Sequence, residues 1–319
     1  MRKSMEFEKL VLLGLIFCWA ARVDGKPQAF YMFGDSTIDS GNNNQLVTIV
    51  KANFPPYGED FPGGAATGRF TNGRLVTDML SGLMGLPDEL PAYLDPNFKG
   101  EQLLTGACFG SGGAGLDDST STPLDVITLS QQVDNFRSYK TKLASMVGED
   151  DASKIISSAL FGIIVWIHCA RTIYNEGATK VMIIGLPPFG CLPSTITLHN
   201  LFNGTCVDEY NNVATYYNNN VTILLDSMKP SLPGLQLVYI DIYDRILDMI
   251  QNPNKYGFEE VRKGCCGTGD IEAGPFCNTL SIICDDVSKY LFWDSVHPTS
   301  KAYSILVGGI LNQAKGIID

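Results

Sequence analysis

The sequence is short of several things that common functions require. Only three of its 319 residues are histidine and 18% are charged, with Lys plus Arg numbering 23 against 34 Asp plus Glu. The formal net charge is −11 and the pI lies near 4.7. A chain so poor in basic residues carries no electrostatic footprint for nucleic acid or for an anionic membrane surface. It contains no Walker A sequence and no GxSxG nucleophile elbow. No segment repeats with a period of about 20 to 50 residues, which excludes a solenoid or propeller. No apolar run reaches the ~20 residues of a transmembrane helix, so no transmembrane anchor is expected. Gly at 32 and Pro at 16 sit near ordinary usage and exclude a collagen-like or low-complexity chain.

What is present is a chain with 45% hydrophobic residues, enough for one large packed domain. Arg2, Lys3 and Lys9 precede or adjoin an apolar run of 12 residues, Leu10 to Ala21, with small residues following near Val23 to Gly25. This reads as a secretory signal peptide over residues 1–25, leaving a single domain over residues 26–319. Beyond Cys18, eight cysteines remain: Cys108, Cys169, Cys191, Cys206, Cys265, Cys266, Cys277 and Cys284. An even count in an exported chain favours disulfides, whose connectivity the spacing leaves open. A zinc site in the last four is the alternative, disfavoured because they contain no CxxC pair and no nearby histidine before His297. Asn203-Gly-Thr205 and Asn220-Val-Thr222 are glycosylation acceptors if exposed. The expected protein is therefore a secreted, extracellular glycoprotein.

Apolar β-rich runs alternate with helical patterns. Strands are expected at Ala29 to Phe33, Leu103 to Phe109, Leu160 to Val165, Lys180 to Gly185 and Gln236 to Ile240. Leu129, Val133, Phe136 and Leu143 repeat with helical spacing, as do Tyr210, Val213, Tyr217, Val221, Leu224 and Met228. This order predicts an α/β fold: a mostly parallel central sheet between two helical layers, with chemistry at the carboxyl ends of the strands. Gly110 to Gly115 satisfies GxGxxG, but a dinucleotide site needs a helix directly after it, and Asp117 to Pro123 read as a continuing loop. No metal or organic cofactor is expected.

The loop after the first strand, Phe33-Gly34-Asp35-Ser36, presents a serine on a tight turn. Near the other terminus, Asp294 and His297 stand three residues apart, close enough for the carboxylate to orient the imidazole toward that serine. His199 reads as a loop residue, and His168 as a helix-face or packed one. The run Asn42 to Asn44 reads as a turn shaping the loop.

These residues sit within longer motifs: FGDSTIDSGNNN at Phe33 to Asn44, PPYG at Pro55 to Gly58, TGRFTNGR at Thr67 to Arg74, SGGAG at Ser111 to Gly115, GLPPFGCLPS at Gly185 to Ser194 and FWDSVHPT at Phe292 to Thr299. Together they resemble the plant GDSL esterases and lipases of the SGNH hydrolase superfamily, over nearly the whole mature chain. The resemblance implies a secreted serine ester hydrolase acting on lipid or cell-wall esters. Ser36 would be its nucleophile, His297 the general base and Asp294 the orienting carboxylate. It implies an oxyanion hole using the N–H groups of Gly112 and Ser36. It also implies a Cys191–Cys206 bridge and a disulfide-pinned loop built from Cys265, Cys266, Cys277 and Cys284.

One departure stands beside the site. Family members carry a GxND segment after the third strand, whose Asn supplies a third oxyanion donor. Here the chain runs from Ile164-Val165 into Trp166 to Gly177, with several dozen residues absent near 163–168. The 14 residues between Val165 and Lys180 still exceed the dozen or so a parallel crossover needs. His168 is a weak substitute donor, and Asn175 falls at the wrong end of the short helix. Loss of one such donor typically slows kcat by ~10²- to 10³-fold. The expectation is an impaired ester hydrolase; the alternative is a catalytically inactive or splice-variant relative with a binding role.

Overall fold

The computed structural model describes residues 26–164, 167–200 and 204–318, with only the backbone at residues 167, 168 and 200. The expected signal peptide and Asn203 lie outside them.

In chain order the main elements are β1 (Phe30–Phe33), α1 (Val76–Leu83), β2 (Gly106–Cys108), α2 (Asp118–Ser121), α3 (Leu129–Val147), α4 (Glu149–Ser158), β3 (Leu160–Ile164), α5 (Ile167–Asn175) and β4 (Lys180–Ile184). They continue with α6 (Pro193–Asn200), α7 (Asp208–Met228), β5 (Gln236–Ile240), α8 (Tyr243–Gln251), α9 (Pro253–Tyr256), β6 (Glu260–Gly264), β7 (Tyr290–Phe292) and α10 (Ser300–Ile318). Five strands form one sheet in the order β2-β1-β3-β4-β5, every pair parallel. The fold is a three-layer α/β/α sandwich.

Period-two alternation explains the layers. Phe30 and Met32 of β1, Leu160 and Ile164 of β3, and Met182 and Ile184 of β4 face one core with Leu306, Val307 and Ile310 of α10. Tyr31, Phe33, Phe161, Ile163, Val181 and Ile183 face the other, where they meet Val133, Phe136, Tyr139 and Leu143 of α3. Covered on both faces, the strands are mostly apolar, with polar residues only at the starts of β4 (Lys180) and β5 (Gln236). Helix α3 starts at a capping box: Thr128 Oγ1 accepts from Gln131 N at 3.2 Å and Gln131 Oε1 from Thr128 N at 3.0 Å.

Three expectations are corrected. The strand expected over Leu103 to Phe109 shrinks to Gly106–Cys108, because Gly100–Leu104 closes as a 3-10 turn. His199 lies on α6, not a loop, with its Nε2 3.1 Å from the Tyr210 hydroxyl. The loop expected after the GxGxxG segment contains the one-turn helix α2, capped by Asp117. A two-stranded parallel pair, β6 with β7, escaped notice because EVRKG carries no apolar alternation.

The crossover between β3 and β4 is made by α5, and the two strands pair over five residues from Leu160–Lys180 to Ile164–Ile184. Among the described residues no helix is long and apolar enough to cross a membrane.

Disulfides join Cys191 to Cys206, Cys265 to Cys284 and Cys266 to Cys277, which occupies the four cysteines a zinc site would have needed. Cys108 and Cys169 stay free and buried. They belong to cores on opposite faces of the sheet and so cannot meet. Asn220 is exposed on α7, its amide donating to Tyr216 O at 2.7 Å.

Candidate active site

Because all five strands run parallel, the loops leaving their carboxyl ends gather on one edge of the sheet. Ser36 lies three residues past the end of β1, in a turn closed by Ile38 N donating to Asp35 O at 3.3 Å. Thr37 N and Thr37 Oγ1 both donate to Asp35 Oδ1, at 2.9 and 2.6 Å. The turn needs glycine before it. Gly34 has φ +156°, and a Cβ there would lie 2.9 Å from Ile164 Cβ. Gln132 of α3 clasps the same residue, accepting from Gly34 N at 2.9 Å and donating to Gly34 O at 2.8 Å.

His297 and Asp294 sit in the loop between β7 and α10. Ser36 Oγ is 2.7 Å from His297 Nε2. His297 Nδ1 is 2.9 and 2.8 Å from Asp294 Oδ1 and Oδ2. Asp294 is fully buried, and backbone N–H groups supply part of its solvation: Val296 N and His297 N donate to Oδ1 at 2.8 and 2.7 Å. The structure thus brings Ser36 to the Asp294–His297 pair, across 261 residues of sequence between Ser36 and His297.

Further residues hold this group in place. The Tyr57 hydroxyl donates to Asp294 Oδ2 at 2.7 Å and accepts from Gly274 N at 2.7 Å. Burial and the neighbouring Asp294 push the Tyr57 hydroxyl well above the usual phenol range, so it stays a donor. The Phe70 ring lies against the imidazole, centroids 5.1 Å apart. Thr71 Oγ1 donates to Pro298 O at 2.9 Å, and Asn72 Oδ1 accepts from Ser300 N at 2.8 Å. Arg69 and Asp78 form a buried two-pronged ion pair, 2.8 and 2.7 Å, that anchors this segment to α1. The PPYG and TGRFTNGR segments were visible as motifs, but their roles were not.

Gly112, one of the two expected oxyanion donors, has its N–H directed to Asp39 Oδ2 at 2.9 Å. Asp39 is fully buried and makes no ion pair among the described residues. It draws on backbone donors instead, Gly41 N and Asn42 N at 2.8 and 2.7 Å on Oδ1. Burial outweighs these bonds and raises the Asp39 carboxyl to about 6. The Ser36 N–H has no acceptor among the described residues. The asparagines behave as turn formers and more: Asn42 Nδ2 donates to Cys108 O and Gly110 O at 3.0 and 2.7 Å, and Asn43 Nδ2 to Gly112 O at 2.9 Å. They lock the serine loop to the glycine-rich loop. Between Ile164 and Gly177 the only asparagine is Asn175, at the far end of α5. The His168 side chain lies outside the described residues.

The family model for GDSL-like lipase/acylhydrolase matches residues 30–308. Among relatives from Arabidopsis thaliana, GDSL esterase/lipase At2g40250 is 39% identical over 340 residues, covering 95% of this chain and 94% of the relative. GDSL esterase/lipase EXL3 is 40% identical over 316 residues, covering 89% and 87%. GDSL esterase/lipase At4g26790 is 37% identical over 343 residues, covering 98% of each.

Proposed function

The chain belongs to the GDSL-like lipase/acylhydrolase family, and from that premise we propose that it is a secreted serine ester hydrolase working through an acyl-enzyme on lipid or cell-wall esters. The observation that carries the mechanism is the 2.7 Å contact between Ser36 Oγ and His297 Nε2, backed by Asp294 on Nδ1. Ser36 attacks the ester carbonyl while His297 takes its proton; His297 then returns the proton to the leaving alcohol. Water, deprotonated by the same histidine, releases the acid and restores Ser36. Asp294 holds the imidazole in the tautomer that accepts on Nε2 and stabilises the imidazolium.

The reading includes slow turnover. Gly112 N–H serves Asp39, and the only asparagine between Ile164 and Gly177 is Asn175, at the far end of α5, so Ser36 N–H is the single expected donor left for the oxyanion. Each missing donor slows kcat by ~10²- to 10³-fold. Matches spanning 340 and 343 positions against a 319-residue chain include positions where this chain has no residue, which supports a deletion relative to these family members. Export is supported by the signal-like residues 1–25, by three disulfides and by the exposed Asn220 sequon.

Hydrolysis of p-nitrophenyl esters by the purified protein tests the reading. A slow turnover abolished by Ser36→Ala and by His297→Ala is expected. A folded protein no faster than its Ser36→Ala variant overturns the proposal and leaves the binding-only alternative.

A further inference from the structure

Beside Ser36 lies a narrow apolar cleft. Ile164 and Ile184, at the ends of β3 and β4, form one wall; Ile246 of α8 and Tyr303, Leu306 and Ile310 of α10 form the other. Asp35 and Ser36 lie at its catalytic end, and Asp35 is the only charged residue lining it among the described residues. We propose that this cleft binds the unbranched alkyl chain of the ester, about six to eight carbons long, with the Tyr303 hydroxyl donating to an oxygen of the same molecule. The proposal rests on reading Ser36 as the nucleophile of an ester hydrolase.

Three observations converge on that occupant. First, the lining is aliphatic and offers an alkyl chain dispersion contacts and nothing to solvate a charge. Second, the dimensions fit. Helix α10 starts at Ser300, beside the His297 loop, and runs away from it, so Tyr303, Leu306 and Ile310 mark increasing depth. Seven residues at 1.5 Å rise span ~10 Å, the length of roughly eight carbons joined by bonds of ~1.5 Å. The cavity volume of about 120 Å³ lies just under the ~150 Å³ that admits benzene, which again indicates on the order of six carbons. Third, the Tyr303 hydroxyl, on a residue only 3% exposed, has no hydrogen-bond partner among the described residues. Native proteins seldom leave such a group unpaired, and a ligand oxygen would complete it. Among the α10 residues of the lining, Tyr303 is nearest the start of that helix, beside the His297 loop, which places it toward the catalytic end.

The test uses straight-chain 2-alkanones, uncharged and unreactive ester analogues, titrated calorimetrically into the intact protein and into Ser36→Ala. Affinity is expected to rise about fourfold per methylene up to a chain of about eight carbons, then level off, in both proteins. Ile310→Trp brings the plateau to shorter chains; Ile310→Ala moves it one or two carbons longer and serves if the tryptophan variant does not fold. Tyr303→Phe weakens every member of the series by a similar factor, roughly tenfold. Affinity independent of chain length, or a plateau that neither Ile310 variant moves, overturns the assignment of the cleft, and unchanged affinity in Tyr303→Phe removes the hydroxyl from it. Because the ketones need no nucleophile, these results stand whether or not the protein hydrolyses esters. Two ester series, alkanoates of one alcohol and acetates of lengthening alcohols, then tell which half of the ester occupies the cleft. Chain-length dependence in either supports it, and flat rates in both from an active protein contradict it.

Discussion

Replacing Tyr57 by Phe removes one oxygen atom that does two jobs. The hydroxyl is buried, 1% exposed, donates to Asp294 Oδ2 and accepts from Gly274 N. A hydrogen bond to a charged acceptor contributes ~1.5 to 3 kcal/mol, and a buried N–H left without a partner costs ~1 to 3 kcal/mol. Partial relaxation of the Gly274 loop offsets some of the second cost, so we expect a stability loss of about 2 to 5 kcal/mol, read by urea unfolding with unchanged slope. The chemistry should move as well. Deprived of one donor, Asp294 keeps its bonds from Val296 N, His297 N and the imidazole, and holds the imidazolium more strongly. If about a third of a ~2 kcal/mol bond reaches the ring, the acid limb of kcat/KM moves up by about half a pH unit. Stability loss without movement of the limb makes Tyr57 a packing residue only. A limb that moves to lower pH contradicts the reasoning, since losing a donor cannot make the carboxylate less basic.

Other outcomes follow from the same geometry. Asp39, raised to about 6 when folded against about 3.9 unfolded, binds more protons in the native state between those values. Its contribution to stability therefore falls as pH rises from about 4 to 6, by up to ~3 kcal/mol, and Asp39→Asn should flatten that part of the profile. Parallel profiles for the two proteins would falsify this assignment. Gly34→Ala should destabilise the nucleophile turn by about 1 to 3 kcal/mol through its φ of +156° and the 2.9 Å approach to Ile164, with ester turnover falling more than ketone binding in the cleft. Replacing Cys266 and Cys277 by Ser opens a short loop, with a loss of about 3 kcal/mol. Because that loop carries Gly274, which donates to Tyr57, the variant should also show part of the Tyr57→Phe effect on the acid limb.

How far the sequence revealed the molecule depends on what kind of interaction each residue makes. The strands of the main sheet were legible because each is a short apolar run, and two of the three long helices, α3 and α7, because Phe136 and Val221 repeat with their neighbours at helical spacing. The boundaries near Leu103 were not, since a 3-10 turn and a strand end share the same apolar residues. Ser36, Asp294 and His297 were legible as a likeness in motif and order, and the structure brings them into contact. Tyr57, Phe70 and Thr71 were not assigned roles, because their work is done across distances of more than 200 residues in sequence, and spacing carries no trace of that. Gly112 was expected to face substrate; the competing demand of a buried carboxylate, Asp39, was invisible without its surroundings.

The most direct test of the account is mass spectrometry of the intact protein after treatment with a fluorophosphonate. The account predicts one adduct per chain, mapped to the peptide containing Ser36, absent in Ser36→Ala and formed far more slowly in His297→Ala. A folded protein that takes up no adduct, or one whose adduct survives Ser36→Ala, contradicts it.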